Sequence, residues 1–351
     1  MTTKAEKEAE MLRAVLAYQK DTAKIAKSIA RATIDAVNEL KGDAEAIFST
    51  FLVKGGLTRE EAERIMSRPI TETVRRRLIE RAKRTYKGAD LRKALVRLSS
   101  RSYRHRMDNA EALKVSARMN GDALHREVME RISPAVDRVT EEATARTNFH
   151  VQKEAGVAVD WSLPNKPQLK ATQEEIGVYH KVKLFTAEEL ETARTRISEG
   201  ILAGEQFDDI ADKLAVDTGK EAYKTRRLVR TTMAQAASDA ELKTLKDLGI
   251  ERYEITCVLD EKTCPICGKY DGRIYRTDDP GAPRPTFHPN CRCSIHHVLD
   301  DDIVDRMQRS ARDENGRTIR VPKRMTYAQW REKYGPKDGP PEPRFKKQTD
   351  E

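Results

Sequence analysis

The sequence predicts a mainly α protein: an elongated helical N-terminal domain and a helical middle region, followed by a small α+β module. Three observations carry this. Apolar residues recur at three- and four-residue steps through most of the chain, which is the stripe of an amphipathic helix. The composition is poor in core formers, with 38% hydrophobic and 35% charged residues; ordinary globular chains run at ~45–50% and ~25%, so solvated helices fit better than one thick core. All five cysteines fall between Cys257 and Cys293, in the one stretch whose texture looks β.

Residues 1–160 read as the helical domain. Leu12, Val15 and Leu16, then Ile25, Ile29, Ile34 and Val37, form a narrow stripe among Lys, Glu and Ala, and Gly42 is expected to end that helix. Ile47, Phe48, Phe51 and Leu52 make a short cluster before the break at Gly55-Gly56, and Thr58-Arg59-Glu60-Glu61 has the form of a capping box. From Arg68 to Arg106, fourteen Lys and Arg face only Glu72, Glu80 and Asp90, a balance of +11. The whole chain of 351 residues carries +9, so everything else sums to −2. Ile70, Val74, Leu78, Ala82 and Tyr86 lie four apart on one face, while Arg75, Arg76, Arg77, Arg81, Lys83, Arg84 and Lys87 occupy the others. These seven are the candidate nucleic-acid-binding residues, acting through phosphates. The plainer alternatives are a solvated face or one that pairs with acidic protein surface. A further helix over 120–150 runs through Leu124, Val128 and Ile132 and is expected to be perturbed at Ser133-Pro134.

Residues 161–184, which include Trp161, Pro164 and Pro167, read as a linker. Beyond it, Thr186-Ala187-Glu188-Glu189 resembles a capping box before a helix from Leu190 to Ile201, and Phe207, Ile210, Ala211 and Leu214 form the next apolar face. Arg226 to Leu248 reads as a long helix stopped by Gly249 at its C′ position. Ile250 to Leu259, with Tyr253, Ile255 and Val258, reads as a strand, and Asp271-Gly272 is a hairpin signal. Residues 299–351 form a polar tail, with a short helix near 326–334 that starts in a capping box at Thr326. Its Trp330 either packs back on the preceding module or anchors the tail to another subunit. The last dozen residues are expected to be disordered.

No run of 18 apolar residues occurs and the start Met1-Thr2-Thr3-Lys4 lacks a signal-peptide stretch, so membrane and classically secreted classes are set aside. An odd, clustered set of cysteines then reads as metal binding before disulfides. Cys264-Pro265-Ile266-Cys267-Gly268 is the sequence of a zinc knuckle, in which a tight turn presents two thiolates to one ion and the glycine is expected to take the left-handed conformation. His288-Pro289-Asn290-Cys291-Arg292-Cys293 supplies the other half. Cys264, Cys267, His288 and Cys291 are the favoured Zn²⁺ ligands, because His-x-x-Cys mirrors the first pair; Cys293 in place of Cys291 is the close alternative. Cys257 reads as a buried thiol, and reduced core cysteines remain the plain alternative for the cluster. A metal bound mainly by thiolates suits folding better than hydrolysis, so the zinc is expected to be structural and the chain not an enzyme. The competing reading, a zinc-dependent nuclease or other nucleic-acid-modifying enzyme, would draw on Asp260, Asp271, His296 and His297. A host DNA-binding regulator would need a helix-turn-helix or a groove-reading finger, which the knuckle is not.

Asp260-Glu261-Lys262-Thr263-Cys264-Pro265-Ile266-Cys267, then Tyr270-Asp271-Gly272, then His288-Pro289-Asn290-Cys291-Arg292-Cys293 closely resembles the C-terminal signature of phage head morphogenesis proteins of the Mu F-like class, the minor head or minor capsid proteins. The resemblance covers roughly residues 185–298 and includes Phe207-Asp208-Asp209-Ile210-Ala211. It implies a virion protein of the phage head, present in host cytoplasm during assembly. It also implies partners in the portal protein and other capsid components, with genomic DNA a further one, and roles in head assembly, DNA packaging or DNA ejection.

Overall fold

The structure, a computed structural model, describes residues 4–49, 57–100, 107–155, 160–298 and 308–335, with the side chains of 4–20, 155 and 218–221 outside the description. The expectations for Leu12, Val15, Leu16, Phe51, Leu52, Gly55-Gly56 and the last dozen residues lie outside the described residues. In chain order the helices are α1 (Lys4–Phe48), α2 (Arg59–Met66), α3 (Glu72–Thr85), α4 (Gly88–Ser99), α5 (Asn109–Ala155), α6 (Lys166–Glu175), α7 (Val178–Leu202) and α8 (Phe207–Asp247). There follow β1 (Arg252–Thr256), α9 (Pro265–Gly268), β2 (Ile274–Arg276), β3 (Ser294–His297), β4 (Gln308–Arg312), β5 (Thr318–Pro322) and α10 (Tyr327–Tyr334). The chain is mainly α with small sheets, as its periodicity predicts. It divides into two compact units, Met1–Ser133 with Gly177–Val229, and Pro134–Ile176 with Arg230–Glu351. Among the described residues no helix is long and apolar enough to cross a membrane.

In the first unit α1 packs along α7. Its buried face is Ala26, Ile29, Ala30, Thr33, Val37, Leu40, Ala44, Ile47 and Phe48, whereas Ile34 points out at 39% exposure. Gly42 does not end the helix. Burial of Leu40 before it and Ala44 after it outweighs the ~1 kcal/mol that an interior glycine costs. Thr58 caps α2 in a reciprocal box: its hydroxyl accepts from the Glu61 N–H while the Glu61 carboxylate accepts from the Thr58 N–H. Val74, Leu78 and Ala82 are the buried face of α3, as their spacing predicts. Thr186 begins nothing: it lies inside α7, buried, its hydroxyl donating to the Lys183 carbonyl. The helices expected at Phe207 and Arg226 are the single α8.

In the second unit Pro134 sits inside an uninterrupted α5, where burial of Ile132 before it and of Ala135, Val136 and Val139 after it offsets the missing N–H. Part of the expected linker is helix α6, opened by Asn165 and Gln168 in a reciprocal cap with Pro167 in its first turn. Gly249, at φ 71, stops α8 and lets the Ile250 N–H reach the Leu245 carbonyl. The sheet has the order β2-β1-β3, antiparallel throughout, with Tyr253 opposite both Tyr275 and His297. Asp271-Gly272 does make a turn, the Arg273 N–H donating to the Tyr270 carbonyl, but it leads into β2 from the cysteine segment rather than joining two strands directly. Val151 of α5, Leu242 and Leu245 of α8, and Tyr253, Ile255 and Ile295 of the sheet form one core with Cys257, Cys267 and Cys291. The expected polar tail contains a hairpin, β4–β5, that sequence alone does not reveal. Thr326 caps α10 as expected, and Trp330 packs back: it is 1% exposed among Leu259, Ala311, Val321 and Tyr327, and its indole N–H donates to the Arg312 carbonyl at 2.7 Å.

Candidate metal centre

The first half of the centre is a helix start used as a thiolate cradle. Cys264 is the N-cap of α9, and Pro265 occupies the first helical position, where a missing N–H costs nothing. The Cys264 sulfur accepts from the Cys267 N–H at 3.4 Å, so cap and knuckle are the same device. Gly268 is not left-handed, contrary to expectation: it ends a right-handed turn, and a Cβ there would lie 2.3 Å from the Tyr327 ring of α10. Its role is to admit that ring. The left-handed residue is Asn290, at φ 62, in the turn where the Cys291 N–H returns to the His288 carbonyl; its own N–H donates to Thr231 Oγ1 of α8.

These two turns face each other. Cys264 Sγ and Cys267 Sγ lie 3.2 and 2.9 Å from His288 Nε2, and Cys267 Sγ lies 3.7 Å from Cys291 Sγ. A tetrahedral zinc with Zn–S near 2.3 Å separates two sulfurs by about 3.8 Å and a sulfur from a nitrogen by about 3.6 Å. The sulfur–sulfur edge matches, and the sulfur–nitrogen edges are shorter. His288 Nδ1 lies 2.8 Å from the Pro289 carbonyl; donating there, it leaves Nε2 as the bare nitrogen turned to the thiols. Two donor groups result, Cys264 with Cys267 and His288, and Cys267 with Cys291 and Cys293, and Cys267 belongs to both. Neither contains all four favoured ligands: Cys291 stands with Cys267 and Cys293, not with Cys264 and His288. Hydrogen bonding with Cys267, then with Cys293, holds the Cys291 thiol below its ordinary range, while Cys267 is pushed up by Cys291 and Cys293 by Cys257. Cys257 is buried just beyond β1, its Sγ 2.9 Å from Cys293 Sγ.

Around this cluster the carboxylates are already committed. Asp260 takes a two-pronged contact from Arg292, at 2.6 Å to each oxygen; burial works against its charge, but the guanidinium outweighs it and holds the carboxyl below its usual range. Asp271 is fully buried: it accepts from the Cys257 and Tyr327 N–H groups at 2.7 and 2.6 Å and from Arg309 of β4. Arg309 also donates to the Cys257 carbonyl, which ties the C-terminal hairpin to the cysteine segment. His297 pairs with Glu154 of α5, and His296 is an exposed ring beside Ser294. Of the four residues open to a nuclease reading, Asp260, Asp271 and His297 thus form structural pairs and His296 is exposed, rather than the four making a set around one ion. The Arg309, Arg292 and Tyr327 contacts carry no signal in the sequence, since each partner is distant along the chain or lies in a segment that reads as tail.

The seven candidates on the basic hairpin, in the first unit, separate into three groups. Arg77 and Arg81 reach the buried Asp43 of α1 at 2.8 and 3.0 Å, Arg81 also pairs with Glu39 and bonds Asn120, and Ser116 donates to Asp43 at 2.6 Å. Arg75 pairs with Glu72 and Lys83 with Glu80 along α3. Arg76 is exposed, with a looser 3.6 Å contact to Glu72, and Arg84 and Lys87 are exposed.

No curated protein matches the chain, and no solved structure does. Residues 191–296, which run from within α7 through the whole metal centre to β3, match the model of the family described as Phage Mu protein F like protein, and over this part of the chain the similarity is to that family of phage head proteins.

Proposed function

We propose that the chain is a phage minor head protein that acts at the portal vertex in head morphogenesis, DNA packaging or DNA ejection, with a structural zinc held by Cys264, Cys267, His288 and Cys291. The family supports a phage head morphogenesis protein located in the virion among other capsid components. The observation that carries the zinc reading is the approach of the Cys264 and Cys267 sulfurs to the bare Nε2 of His288, with Cys291 joined to them through its 3.7 Å contact with Cys267. Such a set closes the coordination sphere, so the ion would supply folding energy in a module short of apolar residues rather than activate water. The pairing of Asp260 with Arg292 and Asp271 with Arg309 further favours a structural role over a catalytic one. Of the seven candidates on the basic hairpin, Arg76, Arg84 and Lys87 are the exposed ones that no close carboxylate engages among the described residues, and these three would meet phosphates or an acidic capsid surface.

Metal analysis of the purified chain tests the zinc: about one ion per chain is expected, and a chain purified without chelator that holds none would overturn it. Co-purification with portal protein, for the full chain and for one carrying Gln at Arg76, Arg84 and Lys87, tests the vertex assignment. Failure of the unaltered chain to bind portal protein or assembled heads would end it.

A further inference from the structure

The five thiols outnumber the positions of a four-ligand site that also takes His288, and the two left over face each other. Cys257 directly follows β1 and Cys293 directly precedes β3. The ladder sets Thr256 opposite Ser294, so one further step sets Cys257 opposite Cys293. The Val298 N–H donates to the Arg252 carbonyl, which makes that pair hydrogen-bonded. Alternation along the ladder then makes the Cys257–Cys293 position non-hydrogen-bonded, the kind that brings Cα atoms to about 4.5 Å, inside the ~4.4–6.8 Å range a disulfide spans. In agreement, the Cys257 N–H goes to Asp271 and its carbonyl to Arg309, on the other edge of the strand. The Cys257 sulfur lies 2.9 Å from Cys293 Sγ and 3.1 Å from the Cys267 carbonyl.

We infer that Cys257 and Cys293 are a redox pair separate from the metal, closing to a disulfide that pins β1 to β3 beside the centre. The inference rests on the zinc reading in one respect, that Cys291 rather than Cys293 completes the ligand set. Cys293 is the partly exposed member and Cys257 is 3% exposed, so reaction starts at Cys293. Its thiolate displaces one sulfur of a small-molecule disulfide such as oxidised glutathione, releasing one thiol; the Cys257 thiolate then displaces the second. Two electrons pass to the oxidant, and the two protein protons end on the two released thiols. A head protein is built in a reducing cytoplasm and persists in an oxidising medium, so the pair is open during assembly and closed in the released particle.

The test uses the full chain loaded with zinc, treated with oxidised glutathione, alkylated with N-ethylmaleimide after unfolding, and digested with trypsin without reduction. Cleavage after Lys262, Lys269 and Arg292 puts Cys257, Cys264 with Cys267, Cys291, and Cys293 on separate peptides. A Cys257–Cys293 linked peptide is expected, with Cys264, Cys267 and Cys291 alkylated and the zinc content unchanged. C257S is expected to give no linked peptide and to leave glutathione on Cys293. Absence of the link in the unaltered chain, a Cys291–Cys293 link, or zinc release in step with oxidation would overturn the proposal. If the link forms in a chain that binds no zinc, the metal reading fails and the pair stands. If zinc binds and no link forms, the reverse holds.

Discussion

Asp43 shows how a single residue changes the meaning of a charge pattern. It is 2% exposed, and its carboxylate is answered by Arg77, Arg81 and Ser116, so two of the seven arginines and lysines that read as a nucleic-acid surface are engaged by a buried carboxylate, Arg81 from within and Arg77 from the surface. Removing the anion would strand Arg81, itself 13% exposed, without its main partner. D43A is therefore expected to destabilise the first unit by about 3–5 kcal/mol in urea unfolding, against under ~0.5 kcal/mol for R76A at an exposed site. The same residue sets an acid response. Burial raises its pKa, but hydrogen bonds from Ser116, Arg77 and Arg81 outweigh that and leave it below the ordinary carboxylate value. A folded-state pKa lower than the unfolded one contributes stability that is present above ~pH 4 and lost as pH falls through the folded value. Asp260, lowered by Arg292, acts with the same sign in the second unit. Stability is thus expected to fall between about pH 5 and 2, and D260N should flatten that fall for the amides of β1 and β3 in hydrogen exchange while leaving those of α1 unchanged.

At the scale of elements, periodicity identified what local burial controls and missed what distant contacts decide. The α3 face at Val74, Leu78 and Ala82, the caps at Thr58 and Thr326, and the stop at Gly249 were legible because each depends on residues within about one turn. The continuity of α1 through Gly42 and of α5 through Pro134 was not, since burial on either side overrides a propensity of ~1 to ~3 kcal/mol. The metal centre followed the same division. The spacing of Cys264, Cys267, His288 and Cys291 brought these residues to notice, but only folding shows that Gly268 is small for the sake of Tyr327 and that Asp271 and Arg309 latch β4 onto the cysteine segment. G268A is therefore expected to cost about 1–3 kcal/mol by overpacking against α10, with metal content retained. C264S is expected to do the opposite: to abolish zinc binding and raise amide exchange across β1, β2 and β3, while exchange in α1 and α3 stays as in the unaltered chain. Unchanged protection of the sheet in C264S, or in excess chelator, would show that the module folds without a metal.

For the whole molecule the charge of +9 is the remainder of a +11 segment and a slightly acidic rest. The segment is less available than its sum, because Glu39 and Asp43 from α1 add two carboxylates against Arg77 and Arg81, and Glu72 and Glu80 engage Arg75 and Lys83. Of the seven candidates, Arg76, Arg84 and Lys87 are the exposed ones that no close carboxylate engages among the described residues, and Arg92 and Lys93 of α4 are exposed as well. The first three make a definite prediction about polyanions. Each phosphate neutralised releases counterions and contributes ~0.9 to the slope of log affinity against log salt, so Arg76, Arg84 and Lys87 together account for about 3 of that slope. Filter binding of random duplex DNA should accordingly be salt-dependent, and the combined R76Q, R84Q and K87Q variant should reduce the slope by about 3 with its unfolding curve unchanged. R77Q and R81Q should instead lose stability before they lose DNA. A slope unaffected by the triple variant, or no binding at low salt, would assign this face to an acidic capsid surface, and retention of portal or head binding by the same variant would exclude that as well.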